Sequence, residues 1–84
     1  MFTTIDRVKN GDAIHLINDG YTILVHEVFF EREWKWRDDT FYIYRVKGVM
    51  RTPFMKKDGT IGVNEQEFNS TIDKTITLVK VDNK

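Results

Sequence analysis

Residues 31–47 read EREWKWRDDTFYIYRVK, two alternating segments that meet around Asp38, Asp39 and Thr40. If those three residues form the loop of a β-hairpin, one face becomes an aromatic ladder and the other a ladder of opposite charges. The predicted pairs are Trp36 with Tyr42, Trp34 with Tyr44, Glu33 with Arg45, and Glu31 with Lys47. A two-residue loop would instead place Arg32 opposite Arg45. The stretch therefore predicts an all-β protein with its aromatic side chains gathered on one hairpin.

Length and composition limit the class of protein. The chain has 84 residues, thirteen basic, thirteen acidic and no cysteine. A chain of this length forms one domain, so we expect residues 1–84 to make a single barrel-like unit. The absence of cysteine excludes disulfides and thiolate metal sites, and favours the cytoplasm of a bacterial cell or of a phage-infected host. Balanced charge argues against a nucleic-acid mimic, and the apolar runs are too short to span a membrane.

The first half of the chain reads as a meander. Residues 12–18 and 21–30 flank Asp19-Gly20, a two-residue hairpin signal because both residues tolerate positive φ. In that register Leu16 faces Ile23 and Ile14 faces Val25. The face that we expect to be core consists of Ile14, Leu16, Tyr21, Ile23 and Val25.

The apolar face then changes sides along the same segment. Odd positions are apolar up to Val25, whereas the later apolar positions are the even ones Val28, Phe30, Trp34 and Trp36. Such a switch needs a bulge, a bend or a break near residues 26–31. Small barrels use a bent strand of this kind to serve both sheets, so the switch favours a barrel.

Upstream, Asn10-Gly11 has two interpretations. As a hairpin turn it pairs Val8 with Ala13, which is the interpretation that we favour. Alternatively, Gly11 caps a short helix that begins at Thr3 or Thr4. Residues 3–9 are therefore either a strand or a short helix.

The second half suggests further strands and one helix. Gly48 allows a sharp return, and Pro53 places the following strand at an edge or a bulge. Residues 57–59, Lys-Asp-Gly, form the next turn. Asn64 and Glu67 make a capping box, which predicts a short helix near residues 65–72. The β-branched residues 74–81 close the chain as a final strand.

The expected fold is a small antiparallel all-β domain of five to six strands with one short helix. The run from Lys9-Asn10-Gly11-Asp12 to Asp19-Gly20, followed by residues 25–28, resembles the opening of many SH3-like barrels. In those barrels a Gly-Asp turn starts a strand that ends in an Asp-Gly turn. The resemblance implies a partly open SH3-like or related barrel and no particular function.

Catalytic and metal chemistry find little support in the sequence. Ser70 is the only serine, and it has no histidine near it in sequence to act as a base. His15 and His26 would be diagonal neighbours on one face, with no obvious third ligand. We therefore predict no catalytic residues, no metal site and no cofactor, and a protein that is not an enzyme.

The aromatic hairpin has two interpretations. Its rings form either one wall of the core or a recognition surface with basic neighbours. Trp36 with Lys35 and Arg37 is the best candidate for an exposed recognition site, because Trp and Arg are enriched in binding hot spots. The predicted partner-binding residues are Arg32, Trp34, Lys35, Trp36, Arg37, Tyr42 and Tyr44. A secondary basic patch would consist of Arg51, Lys56 and Lys57, and the two groups would form one basic rim if their hairpins lie side by side.

These features favour a non-catalytic module that binds another protein, as an inhibitor or adaptor. The abundance of Lys, Asn, Ile and Asp suggests a low-GC bacterial or phage origin, and hence a phage accessory or counter-defence protein. One alternative is a small β-barrel that binds single-stranded nucleic acid by base stacking. A second alternative is a structural subunit that forms a homo-oligomer through an edge strand. No membrane partner is expected.

Overall fold

A single antiparallel sheet organises the chain, and a computed structural model describes it over residues 1–17 and 21–81. In these residues the strands are β1 (Phe2–Thr3), β2 (Ala13–Leu16), β3 (Thr22–Trp36), β4 (Asp39–Met55), β5 (Ile61–Asp73) and β6 (Leu78–Val81), with a 3₁₀ helix at Ile5–Arg7. Their order across the sheet is β1-β6-β2-β3-β4-β5. Because its two edge strands, β1 and β5, are not paired with each other, the sheet is open. The all-β prediction is confirmed, and the closer assignment to an SH3-like barrel is not.

The helix predicted near residues 65–72 is wrong, because this segment belongs to the continuous strand β5. Every residue of β5 has a partner on β4. Glu65 lies opposite Arg51, whose guanidinium contacts the carboxylate at 2.8 Å. A capping signal is a weak local preference, and pairing that satisfies the backbone along a whole segment overrides it.

The segment before β2 also differs from the favoured interpretation. The hairpin expected at Asn10-Gly11 is wrong, because β2 pairs with β3 and β6 instead. The helical alternative is closer, since a single 3₁₀ turn follows Thr4. Gly11 has φ of 95°, and the turn around it is closed by the Asp12 N–H, which donates to the Lys9 carbonyl at 3.0 Å.

The core lies on one face of the sheet, called here the core face. The apolar face predicted for β2 and β3 is confirmed, since Ile14, Ile23 and Val25 are fully buried. Ile14 lies opposite Ile23 rather than Val25, and a shift of two residues leaves each side chain on its face. The Asp19-Gly20 turn lies outside the described residues. The buried apolar residues are Ile5, Val8, Ala13, Ile14, Ile23, Val25, Val46, Ile72 and Leu78.

β3 contains two bulges, and the first accounts for the predicted change of apolar phase. Its pairing with β4 slips by one residue at His26 and again at Glu31. Beside the first bulge, the Val28 N–H donates to Asn10 Oδ1 at 3.0 Å, so a side chain satisfies this donor. The first slip brings Val28 onto the core face, opposite Val46.

Gly48 lies beside this bulge and does not form a turn. The predicted return at Gly48 is wrong, because the residue lies inside β4. A Cβ atom at Gly48 would lie 2.0 Å from the Leu24 carbonyl oxygen. Glycine is therefore required for the close approach of β3 and β4 next to His26.

Among the described residues, Pro53 has a strand neighbour on one side only. The ladder between β3 and β4 ends at Arg51, while Pro53 lies opposite Val63 of β5. The Lys56 N–H donates to the Thr60 carbonyl, which shows that the even residues of β4 exchange hydrogen bonds with β5. The nitrogen of Pro53 thus points away from β5, and no hydrogen bond of the β4–β5 ladder is lost. The predicted edge strand is nevertheless wrong, because β4 lies between β3 and β5.

The turns around β5 match the predictions in part. The turn at residues 57–59 is confirmed, with Gly59 at φ of 87°. The final strand is shorter than predicted, because the Lys74 N–H still donates to the Tyr42 carbonyl and the chain turns before Leu78.

Candidate functional site

The loop of the aromatic hairpin is shorter than predicted and lies earlier in the chain. Trp36 pairs with Asp39, so Arg37 and Asp38 form a two-residue turn. Arg37 adopts φ of 55°, a left-handed conformation that L side chains rarely take. The three-residue loop and its four predicted cross-strand pairs are therefore wrong. The alternative pairing of Arg32 with Arg45 is not formed either, since Arg32 lies opposite Ile43.

This register divides the aromatic residues between the two faces of the sheet. Trp34 lies opposite Phe41, and Phe30 lies opposite Tyr44. The bulge at Glu31 separates these two pairs, so Phe30 stays on the core face while Trp34 points to the opposite face, called here the outer face. The predicted single aromatic ladder is replaced by two clusters, one on each side.

The outer-face cluster, called here the Trp cluster, consists of Trp34, Trp36 and Phe41. The indoles of Trp34 and Trp36 are stacked, with ring centroids 6.1 Å apart and an interplanar angle of 25°. Phe41 lies 5.4 Å from the Trp34 ring, and the Arg37 guanidinium carbon lies 5.7 Å from the Trp36 centroid. Trp34 is 46% exposed and Trp36 is 55% exposed. Trp34 therefore does not form a wall of the core, and the expected exposure of Trp36 is confirmed.

The core-face cluster consists of Phe30, Tyr42 and Tyr44. Tyr44 packs against the buried core and meets the Phe30 ring edge-on at 5.5 Å. Tyr42 lies nearer to the hairpin turn, and the Lys74 ammonium lies 5.4 Å from its ring centroid. Of the two tyrosines predicted for the binding surface, Tyr44 thus supports the core, and Tyr42 is exposed on the face opposite the Trp cluster.

The remaining predicted site residues take different positions around the hairpin. Arg32 lies opposite Ile43, and Lys35 lies opposite Thr40 on the face away from the Trp cluster. Arg37 is in the turn, in contact with Trp36. The structure therefore brings Trp34, Trp36 and Arg37 together, and separates Lys35 from them.

A polar network on the outer face separates the Trp cluster from the rest of the sheet. The Arg45 guanidinium donates to both carboxylate oxygens of Glu31, at 2.8 and 3.3 Å, and to Asn69 Oδ1 at 3.0 Å. Hydrogen bonding from Arg45 is the main cause that lowers the pKa of Glu31. The expected partner of Arg45, Glu33, is on the other face. The bulge makes this pair possible, because it turns Glu31 towards Arg45.

The secondary basic patch does not join the aromatic hairpin. Lys56 and Lys57 are at the β4–β5 turn, and Arg51 is in an ion pair with Glu65. The β3–β4 turn and the β4–β5 turn flank opposite ends of β4, so the two groups do not form a common basic rim. The molecule is elongated, with principal extents of 54 × 26 × 23 Å.

Two features of the surface were missed from sequence. Phe41 is the partner of Trp34, and only the true register reveals it. A second exposed apolar patch lies on the outer face at the β4–β5 end, where Pro53 is opposite Val63 and Met55 is opposite Ile61. These residues are not singled out in the sequence, because their exposure depends on the pairing of β4 with β5.

The carboxylates whose pKa departs from its ordinary value are all stabilised in the charged form. A hydrogen bond from Thr4 lowers the pKa of Asp6, and hydrogen bonds from Thr60 lower that of Asp58. Within residues 1–17 and 21–81, no three histidine or acidic side chains are close enough to hold a metal ion. The chemistry available at the hairpin is thus apolar contact, ring stacking and cation–π interaction.

Comparison with known proteins returned no family model, no curated protein and no solved structure that matches the chain. Across the described residues, no helix has the length and hydropathy needed to cross a membrane. What the protein binds is therefore to be inferred from its own surface.

Proposed function

We propose that the protein is a non-catalytic binding module whose target is another protein. The contact surface is the end of the β3–β4 hairpin, with the Trp cluster at its centre and Arg37 at its rim. By occupying a partner's surface with this hairpin, the protein acts as an inhibitor or an adaptor. A phage accessory or counter-defence role agrees with the composition of the chain.

The observation that carries the proposal is the pair of stacked, half-exposed tryptophans beyond the core. In the described residues, β3 and β4 pair only with each other around Trp34 and Trp36. β2 pairs with β3 no further than Leu24, and β5 ends opposite Ile43. Their exposed area is costly in water and does not contribute to the buried core. Trp and Arg are enriched in binding hot spots, because they bury a large apolar area on binding and still make polar contacts.

The charges at the hairpin end favour a protein over a nucleic acid. Residues 32–39 carry three basic side chains, Arg32, Lys35 and Arg37, and three acidic ones, Glu33, Asp38 and Asp39. Asp39 lies directly opposite Trp36 and shares its face. Phosphate binding needs uncompensated positive charge, and here the basic side chains are matched in number by acidic ones.

The proposal is tested by affinity purification from host cell lysate with the wild type and a Trp36→Ala variant as baits. The expected result is a partner that co-elutes with the wild type and is reduced at least roughly tenfold with Trp36→Ala, as for a hot-spot residue. Phe54→Ala is the matched control, because Phe54 is an exposed aromatic at the opposite end of the molecule. Equal recovery with Trp36→Ala and the wild type contradicts the proposal.

Chromatography on a single-stranded DNA column distinguishes the proposed protein-binding function from the nucleic-acid alternative. We expect the wild type to elute at low salt, as does Trp36→Ala. Retention that falls steeply with salt and is lost in a Trp36→Ala, Arg37→Ala double variant would replace the proposal with a stacking platform for bases.

A further inference from the structure

The outer edge of the sheet is a long strand with an unpaired side. β5 runs without a bulge from Ile61 to Asp73, and its only neighbour in the described residues is β4. Proteins usually protect such edges with lysine, proline, a bulge or a short strand. β5 has no lysine and no proline, and the opposite edge strand, Phe2–Thr3, is short.

The hydrogen-bond pattern identifies which residues of β5 face outwards. The Lys56 N–H donates to the Thr60 carbonyl and the Lys74 N–H donates to the Tyr42 carbonyl. These two pairs continue the β4–β5 ladder at its ends, and hydrogen-bonded pairs alternate along antiparallel strands. The even residues of β5 therefore bond to β4. The odd residues, from Val63 to Asp73, direct their N–H and carbonyl groups to the free edge.

We propose that the β5 edge pairs with the β5 edge of a second copy of this chain, antiparallel and centred on Phe68. The two sheets then join into one continuous sheet about a two-fold axis. This dimerisation is independent of the Trp cluster. It gives the dimer two hairpin ends, one from each copy, and thus bivalent binding if the proposed function holds.

Among two-fold axes at residues 65–70, the charges on β5 select this register. Its acidic residues are Glu65, Glu67 and Asp73, and like charges that face each other across strands are destabilising. A two-fold axis at Glu65, Gln66, Glu67 or Asn69 would place one carboxylate directly opposite another. An axis at Phe68 avoids this, because it places Glu67 opposite Asn69 of the other copy and Glu65 opposite Thr71.

The same register also brings apolar rings together. Phe68 bonds through its backbone to β4, so on the free edge it forms a non-hydrogen-bonded pair with Phe68 of the second copy. Such pairs bring Cα atoms to about 4.5 Å and side chains into contact. Phe68 is half-buried against the core of its own chain, and its exposed part is what the second copy would cover.

The first experiment measures mass by sedimentation across a concentration series of the full chain. The expected mass at high concentration is twice the 10.0 kDa of one chain. A protein that remains monomeric at the highest soluble concentration overturns the proposal.

Asn69→Glu and a charge reversal test the register. Asn69→Glu places carboxylates opposite each other twice in the dimer, which we expect to raise its dissociation constant roughly tenfold. In the double variant Glu67→Lys with Asn69→Glu, the opposed groups attract, and the dissociation constant is expected to return to about the wild-type value. Asn69→Gln is the neutral control. Unchanged association of Asn69→Glu, or no rescue by the double variant, contradicts the register, and circular dichroism shows that each variant is folded.

A single cysteine gives a second, independent measurement, because the chain has none of its own. Phe68→Cys should form a disulfide-linked dimer on mild oxidation, since a Cα separation of about 4.5 Å permits the bond. Ser70→Cys is the control, because the two Ser70 residues would be about 13 Å apart along the strands. Cross-linking of Ser70→Cys as fast as Phe68→Cys would overturn the Phe68-centred register. Trp36→Ala should dimerise like the wild type, which separates this test from that of the proposed function.

Discussion

The two ends of β3 use apolar side chains in opposite ways. At the start of the strand, Ile23 and Val25 are fully buried in the core cluster, which includes Ile5 of the 3₁₀ helix. At its end, Trp34 and Trp36 are about half exposed on the other face, where β4 is the only neighbouring strand in the described part of the chain. The difference comes from the bulge at Glu31, which reverses the facing of every later residue. One strand thereby contributes buried side chains to the core at one end and exposes aromatic side chains to solvent at the other.

The largest expected effect is on the free energy of unfolding, and it differs between the two ends of β3. Ile23→Ala removes a fully buried side chain and should reduce the free energy of unfolding by about 2–5 kcal/mol. Trp36→Ala removes mainly an exposed ring contact, for which a loss of about 0.5–1.5 kcal/mol is expected. Chemical denaturation followed by circular dichroism measures both. If Trp36→Ala is as destabilising as Ile23→Ala, the hairpin end is part of the core and the contrast is wrong.

Gly48→Ala tests the close approach of strands that the first bulge requires. The new methyl group would collide with the Leu24 backbone, so a loss of about 1–3 kcal/mol or more is expected. Gly62→Ala is the control, since the atoms nearest to its Cβ would belong to the movable side chains of Phe54 and Lys56. The denaturation midpoint of each variant gives the comparison. A Gly62→Ala variant that loses more stability than Gly48→Ala would show that backbone crowding is not what fixes glycine at position 48.

How much of this difference between the two ends of β3 can be predicted depends on how local each sequence signal is. The buried face of Ile14 and Ile23 follows from alternation alone, and it survives a register error of two residues. The change of phase after Val25 correctly indicates a bulge near His26. The second bulge at Glu31 leaves no local signal, because Trp34 and Trp36 continue the same even-numbered apolar pattern as Phe30.

The turn and the predicted helix fail for a related reason. Asp38 and Asp39 are better turn residues than Arg37, yet the turn falls on Arg37 and Asp38 because ladder pairing along both strands decides its position. The capping box at Asn64 is overridden in the same way by β5 pairing. Exposure of Trp36 was predictable from its place near the hairpin tip, whereas the position of Phe41 beside Trp34 depends on the register.

Replacement of Arg37 sharpens this view of the turn. Arg37→Gly relieves the left-handed backbone and removes the cation–π contact, so we expect a net gain of about 0.5 kcal/mol in the free energy of unfolding. Asp38→Gly is the matched control, because Arg37 alone has positive φ among the described non-glycine residues. The control should lose about 0.5–1 kcal/mol through added chain entropy. If Asp38→Gly stabilises the protein and Arg37→Gly does not, the turn lies one residue further on.

The smallest expected effect concerns the ion pair that separates the two ends. The hydrogen bonds from Arg45 lower the pKa of Glu31, so the folded state holds this carboxylate charged to lower pH than the unfolded state does. The resulting stabilisation is present above the ordinary pKa of a glutamate and is lost as pH falls through the lowered pKa of Glu31. NMR titration should show the Glu31 pKa rising towards its ordinary value in Arg45→Gln. Because the pair is solvent-exposed, raised salt should weaken the shift in the wild type. A Glu31 titration that is identical in Arg45→Gln and the wild type would mean that Arg45 is not what lowers the pKa of Glu31.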